Sequence, residues 1–383
     1  MRIAQLIETM GTGGAEKLAV DIAGARFRCG DESTLITLSG LGPSSEGMDP
    51  GIAVFTLSMN PHNVFSQLAT LFRLLRLCRR LRLDALQTHL PRANFFGLAL
   101  ALLAGIPVFP TVHNNREFDY GNHPGSLRKR LRRFAYGRML VHCRKMIAVS
   151  DAVKQAVIQE LNLDQIRSRR IEVVPNGVAV PEPLTPLQRA EVRREFGVPD
   201  GCTLIVGVGR LTPQKNFQDL ISALGQLDQD TPCWNCIIAG DGPLREELAE
   251  LVRAKGLQDR VQLAGRISAV DRLLGAADIF CMSSLWEGLP LALLEAMAAA
   301  LPVAAYAIDG VCGVVNAGRC GFLATPGKPN ELSIVLGQLL DGPQSRIEMG
   351  CLGRTVVEKE YSLNQVAKKL GRIYLEQGGH VGE

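Results

Sequence analysis

Long apolar runs, paired metal-ligand motifs and a dominant net charge are all missing from this 383-residue chain. Each absence excludes something. No run of 18 or more apolar residues occurs. The best candidate, "FFGLALALLAGIPVFP" (Phe95–Pro110), is interrupted by Gly97, Gly105 and Pro107, so it is too short to cross a bilayer. The N-terminus, "MRIAQLIETMGTGGAEK", has no charged leader, apolar core and cleavage site in series. It reads as a first buried strand, and the expected location is the cytoplasm. Ten cysteines are scattered, with one Cys-x-x-Cys pair at Cys233 and Cys236. A redox pair would follow a strand at a helix N-terminus, and a zinc site would need a second pair nearby. Neither pattern is present, so the thiols read as ordinary reduced groups in a reducing compartment. No metal-ligand cluster is visible. Net charge is only +4, but residues 1–180 hold 23 basic and 14 acidic residues against 19 and 24 in the remainder. The two halves therefore face different partners.

What is present is apolar material for two cores. Apolar residues make up 46% of a chain too long for one ordinary core. The first half alternates strand candidates with amphipathic helices. The strands are Arg2–Ile7, Ser33–Leu38, Ala53–Leu57, Ala85–Thr88, Val108–Val112, Met146–Val149 and Glu172–Val174. The second half repeats the rhythm at Cys202–Val208, Cys236–Ala239, Val261–Leu263, Ile279–Met282 and Val303–Tyr306. Such alternation predicts parallel sheets with crossover helices. The seam is the proline-rich "VPNGVAVPEPLTPLQ", Val174–Gln188. The expected fold is α/β, with two Rossmann-like doubly wound domains facing a cleft. The domains span 1–180 and 181–360, and 361–383 forms a last amphipathic helix.

In doubly wound sheets, ligands bind beyond the carboxyl ends of the strands. Three strand-to-helix turns and one loop-helix segment stand out there. "ETMGTGGAEKL" (Glu8–Leu18) brings Gly11, Gly13 and Gly14 to a helix N-terminus, which favours an anion. The third glycine of a dinucleotide fingerprint would fall at Glu16, and no acid ends the second strand to hold a ribose. Tight-turn geometry alone also explains this stretch. "VGVGRLTPQKNF" (Val206–Phe217) places Arg210 and Lys215 after a strand, where two cations suit a diphosphate. Solvated loop charges are the other reading. "IIAGDGPLREEL" (Ile237–Leu248) is explained by turn chemistry. "SSLWEGLPLALLEAMAAALPVAA" (Ser283–Ala305) holds two carboxylates in an apolar run. Pro290 fits the first position of a helix, so Glu287 belongs to the turn and Glu295 to the second helical turn. An unpaired carboxylate on so apolar a helix would cost several kcal/mol. The two acids therefore read as sugar and ribose ligands, with amides around Gly288–Leu291 adding positive potential; a capping or solvated charge is the other reading of Glu295.

With these residues in place, the sequence resembles the family-4 retaining glycosyltransferases of the GT-B fold. The resemblance runs through "GGAE" (Gly13–Glu16), "TVHNN" around His113, "AVSDAV" (Ala148–Val153) and "VVPNGV" (Val173–Val178). It continues through "GVGRLTPQKNF", "AGDGP" and the Glu-x7-Glu pair Glu287 and Glu295. It implies that Arg210 and Lys215 bind the donor diphosphate. Glu287 would hold the transferred sugar, with Gly288, Leu289, Pro290 and Leu291 beside it, and Glu295 would hold the ribose. Arg266 and Ile267 would lie along the base, His113 would contact the sugar, and Gly13 and Gly14 would lie against phosphates and acceptor. It also implies that the last helix returns to the N-terminal domain. Gly313 departs from the pattern, standing where members often carry a Glu.

The expected activity is transfer from a nucleotide sugar, leaning to a UDP-sugar, onto a glycan or lipid-linked acceptor. The sugar is substrate, with no cofactor, metal or nucleic acid. A GDP-mannose-dependent mannosyltransferase and a non-catalytic nucleotide-sugar-binding protein are the alternatives. A nicotinamide-dependent oxidoreductase is disfavoured by the missing glycine and ribose acid. Acceptor choice is expected in Ser39–Asp49, Met59–Val64 and Arg116–Ser126. Basic amphipathic stretches at Leu71–Leu83 and Ser126–Met146 suggest an anionic membrane surface as partner, with solvated crossover helices as the other reading.

Overall fold

The structure is a computed structural model that describes residues 1–11, 13–42, 48–118, 127–228 and 231–378. Parts of two segments expected to select the acceptor, 43–47 and 119–126, lie outside that set. The chain divides into two compact units. One is Met1–Gly177 together with the segment from Leu363, and the other is Val178–Ser362.

The first unit holds a seven-stranded parallel sheet. Its strands are β1 (Arg2–Thr9), β2 (Glu32–Gly40), β3 (Ala53–Thr56), β4 (Ala85–His89), β5 (Val108–Val112), β6 (Met146–Ala148) and β7 (Ile171–Val173). They lie in the order β3-β2-β1-β4-β5-β6-β7. The order reverses direction between β1 and β4, the switch point where such sheets open a crevice. Local signals set the connecting helices. Asn63 accepts from the Ser66 amide to cap Val64–Leu81, and Ser150 caps Asp151–Leu161 through Val153. Pro91 enters the first turn of Leu90–Ala104, which ends at Gly105 with φ of 63°. Helix Gly14–Arg28 buries Ala19 and Ala23 against Ile7, Met10 and Leu35.

The last helix, Leu363–Gly378, belongs to this unit and packs on Gly14–Arg28. Ala25, Leu363 and Ala367 share a buried cluster, and Arg26 donates to the Ala367 carbonyl at 2.8 Å. Tyr374 is fully buried, with its ring 4.9 Å from that of Phe109.

The second unit repeats the design with six parallel strands: β8 (Thr203–Val208), β9 (Trp234–Ala239), β10 (Val261–Gly265), β11 (Ile279–Met282), β12 (Val303–Tyr306) and β13 (Gly321–Ala324). Their order is β10-β9-β8-β11-β12-β13, with the switch between β8 and β11. Strand β13 has no counterpart among the expected strands. It is short, begins at a glycine and runs into the turn "TPGKP", so it carries no period of its own. A Cβ at Gly321 would strike the Val303 carbonyl, which is why a glycine lets β13 approach β12.

One expectation is corrected here. Cys202 and Cys233 are joined in a disulfide, with a Cα–Cα distance of 4.6 Å, so the thiols are not all reduced. The register of β8 on β9 pairs Thr203 with Trp234, which sets the two preceding cysteines side by side. Their separation of 31 residues hid this in the sequence. Cys236, the other half of the Cys-x-x-Cys pair, is free and buried.

Candidate functional site

The second unit gathers most of the expected residues at its switch point. β8 runs into Gly209 and Arg210, while β11 runs into Ser283–Glu287. Two loops interlock across the gap. The Leu285 amide donates to the Gln214 carbonyl at 2.9 Å, and the Ser283 hydroxyl donates to the Lys215 carbonyl at 3.0 Å. Gln214 Nε2 donates to the Trp286 carbonyl at 2.9 Å and to Glu287 Oε2 at 3.3 Å. Lys215 Nζ then meets Glu287 Oε1 at 2.5 Å. Glu287 is buried, and this ion pair satisfies it. Two residues expected to act on different parts of one ligand are therefore bonded to each other. Gln214 was not singled out in the sequence; only its place beside Lys215 could have marked it.

Arg210 is exposed, and its guanidinium makes no ion pair among the described residues. Its loop is stitched to the next one. The Gly209 amide donates to the Ala239 carbonyl and the Leu211 amide to the Asp241 carbonyl, both at 3.0 Å. Gly240 sits at φ of 147°, and a Cβ there would collide with the Gly209 carbonyl oxygen. Asp241 Oδ1 accepts from the Gly242 amide at 2.9 Å, so this carboxylate shapes its own turn. Arg266 is exposed and Ile267 half-buried, directly after Gly265 at φ of 72°.

The Glu287–Leu291 segment leads into helix Leu291–Ala298. Pro290 is its N-cap rather than its first helical residue, since its ψ of 123° is extended. Gly288, Leu289 and Pro290 are buried, and Leu291 and Glu295 are half-buried. Glu295 falls in the second turn. Helix Asp309–Gly318 abuts this loop, and a Cβ at Gly310 would press on the Gly288 and Glu287 carbonyls. A Cβ at Gly313, by contrast, would meet nothing within 4 Å among the described residues.

The first unit carries a second polar cluster at the carboxyl edge of its sheet. Gly13 is the N-cap of helix Gly14–Arg28, with Gly14 the first helical residue. The Glu16 carboxylate lies over this turn, occupying the space a Gly13 side chain would need. An anionic ligand there meets an acid already at the helix start. Glu8, at the end of β1, is ion-paired with Arg92.

His113 follows β5. Its amide donates to Glu117 Oε2 at 3.2 Å, and its Nε2 lies 3.1 Å from His89 Nδ1. Burial pushes its pKa down to about 4. His89 is buried at the end of β4, with its pKa held well below the usual value by burial and then by His113. Glu117 is also buried. Burial pushes its pKa up to about 7, against hydrogen bonds from Tyr136 and the His113 amide and the charge of Arg132. The Tyr136 hydroxyl donates to Glu117, and Arg132 donates to the Glu117 carbonyl at 2.5 Å. Asn94 Nδ2 donates to Tyr136 at 3.3 Å and to the Thr111 carbonyl at 3.0 Å. Sequence reasoning found His113 but neither His89 nor Glu117. Glu117 lies within Arg116–Ser126, the stretch expected to bear on acceptor choice, but nothing in its neighbours marked it individually.

Among the described residues, no group of three or more His, Cys, Asp or Glu could hold a metal ion. No helix is long and apolar enough to cross a membrane, among the same residues.

Both halves of the chain match known families. Residues 12–180 match the model described as Glycosyltransferase Family 4, and residues 188–355 match Glycosyl transferases group 1. An alpha-D-kanosaminyltransferase of Streptomyces kanamyceticus is 25% identical over 75% of each chain. The Escherichia coli UDP-Gal:alpha-D-GlcNAc-diphosphoundecaprenol alpha-1,3-galactosyltransferase is 27% identical over 74% of this chain and 73% of its own. The structure of Anabaena HepE in complex with UDP and glucose superposes with a TM-score of 0.82 at 22% identity, covering 97% of this chain and 98% of that one.

Proposed function

This chain is a glycosyltransferase of the GT-B fold, and from that premise we propose that it moves a hexose from a UDP-sugar to a glycan or lipid-linked acceptor with retention of configuration. The observation that carries the donor assignment is the pair of half-buried Lys215 with buried Glu287 at the switch point of the second unit, with the exposed cation Arg210 on the same loop. The UDP and glucose bound by the similar Anabaena protein support the choice of donor. The acceptor of the similar E. coli enzyme, a diphosphoundecaprenol, supports a lipid-linked one.

The chemistry follows from charge. As the glycosidic bond opens, negative charge grows on the leaving diphosphate. Arg210, Lys215 and the amides leading into helix Leu291–Ala298 stabilise it, and preorganised donors of this kind supply the largest share of many rate enhancements. Glu287, already oriented by Lys215 and Gln214, accepts from sugar hydroxyls. Glu295 accepts from the ribose, and the backbone at Arg266 and Ile267 lies along the base. His113 contacts the sugar, and Gly13 and Gly14 face phosphate and acceptor. A donor phosphate oxygen takes the acceptor proton. Fixed cations stand where other transferases use a metal, so activity survives a chelator.

The enzyme works at the inner face of the cytoplasmic membrane. Helix Leu127–His142 turns Leu127, Leu131, Phe134 and Val141 outward, opposite the buried Tyr136, Met139 and Leu140. Exposed Arg130 and Arg138 flank that stripe, as does Arg133, whose side chain is 48% exposed and 3.8 Å from Glu160. Lys129 pairs with Glu160 and Arg132 reaches the Glu117 carbonyl, so these two bases serve the fold rather than a lipid.

A thermal-shift panel of UDP-, GDP- and ADP-sugars tests the donor. UDP-sugars are expected to raise Tm most, and Glu295→Ala to remove the rise. A larger shift with GDP-mannose would favour the mannosyltransferase. No shift with any nucleotide sugar would overturn the reading.

A further inference from the structure

Two side-chain hydrogen bonds lead through the first unit to His113. The first joins Gln5 to His89, with the Gln5 amide oxygen 2.8 Å from His89 Nε2. Gln5 Nε2 is buried and meets no hydrogen-bond partner among the described residues, so the oxygen is the end of this amide that is engaged.

An amide oxygen only accepts, so His89 Nε2 carries the proton. A neutral imidazole has one donor and one acceptor nitrogen, so His89 Nδ1 is the acceptor. His113 Nε2, 3.1 Å away, must be its donor. His113 is also clamped through its backbone, by the bond from its amide to Glu117. Leu90, directly after His89, is held at φ of 70°, a conformation non-glycine residues adopt rarely and often at functional sites.

We propose that Gln5 and His89 are positioning residues that hold His113 as its Nε2–H tautomer, so that Nδ1 accepts a hydrogen bond from a hydroxyl of the bound sugar. This rests on the reading of His113 as a sugar contact. Which ring nitrogen of a histidine binds a ligand is set by the bond the other one makes. His113 then acts as a neutral acceptor and neither protonates the leaving group nor donates to it.

The test is ring-nitrogen NMR on the full chain labelled with 15N-histidine. The six histidines are few enough to assign with His89→Gln and His113→Asn. At neutral pH, His113 should show a protonated Nε2 and an unprotonated Nδ1. Gln5→Leu, which removes the acceptor of His89 Nε2, should draw the two His113 signals toward each other as the tautomers mix. A purely structural role would lower Tm without moving them. A dominant Nδ1–H form, a charged ring at neutral pH, or signals unmoved by Gln5→Leu would overturn the proposal. Turnover supplies the second arm, with the nucleotide sugar selected by the thermal-shift panel. His89→Gln should slow turnover about 10- to 100-fold, the scale for losing the orienting partner of a functional histidine. Affinity for the free nucleoside diphosphate should stay unchanged. If His113→Ala turns over like the wild type, the sugar contact itself fails, whatever the tautomer. If His113→Ala is slow but the tautomer is reversed, only the chain of positioning residues fails.

Discussion

Lys215 and Arg210 illustrate how two cations on one loop differ. Lys215 is bonded to a buried carboxylate, while Arg210 stands exposed. Both substitutions to Ala are expected to lower kcat about 100- to 1000-fold, the scale for losing one stabiliser of developing charge. Only Lys215→Ala should also destabilise the fold, by about 1–3 kcal/mol, because it strands Glu287 without its partner. Melting curves beside turnover separate the two, and equal Tm losses would refute the distinction. Glu117 gives a second, pH-dependent outcome. Its folded pKa is about 7 against an ordinary 4.5, so the folded state holds this proton more tightly. The stabilising contribution is full below about 4.5 and is lost as pH rises through about 7. His113 works in the opposite sense. Its folded pKa of about 4 lies below 6.5, so its contribution is full above 6.5 and is lost as pH falls toward 4. Glu117→Gln removes the first effect alone. Its stability relative to the wild type should therefore rise between pH 4.5 and 7, by a few kcal/mol, in denaturant titrations across that range. A flat difference would show that Glu117 titrates normally.

At the scale of the element, glycines set how closely the site loops approach. Gly240 combines a left-handed φ with a carbonyl where its Cβ would go. Gly240→Ala should push the Gly209–Leu211 loop away, destabilise the second unit by about 1–3 kcal/mol and weaken nucleoside diphosphate binding. Gly313 is the contrast, with open space around it. Gly313→Glu, which restores the residue common in the family, should leave stability within about 0.5 kcal/mol of the wild type. Calorimetry on both variants reads the difference. A destabilised Gly313→Glu would mean that the helix Asp309–Gly318 cannot carry that side chain here.

The exposed stripe on helix Leu127–His142 concerns the molecule as a whole, since it bears on where the enzyme meets its acceptor. A basic amphipathic face binds anionic lipid with about 1 kcal/mol per Lys or Arg near the surface. Co-sedimentation with anionic vesicles should be seen at low salt and should fade as salt rises. Replacing Leu131 and Phe134 by Ser should weaken it as much as replacing Arg130 and Arg133, because apolar burial and charge act together. The side chain of Arg128, expected to share this role, lies outside the described residues. No binding at low salt would leave an enzyme with a soluble acceptor.

The sequence alone determined the alternation of strands and helices, the two-part organisation and the loops that carry the candidate site residues. These features repeat over a few residues, so composition and period encode them locally. Strand ends such as Val108–Val112 and Ile279–Met282 coincide with the observed ones for that reason. The tertiary structure decided which loops become neighbours. β1 lies beside β4 and β8 beside β11, and no local pattern states that order. Lys215 meets Glu287 across 72 residues, Cys202 meets Cys233 across 31, and Tyr374 meets Gln87 across 287. Each contact depends on strand order and register, which the chain settles only when both faces of each sheet are buried at once. The contacts of Gln5 with His89 and of His89 with His113 belong to the same class: each residue looks like an isolated polar group until the fold lines them up.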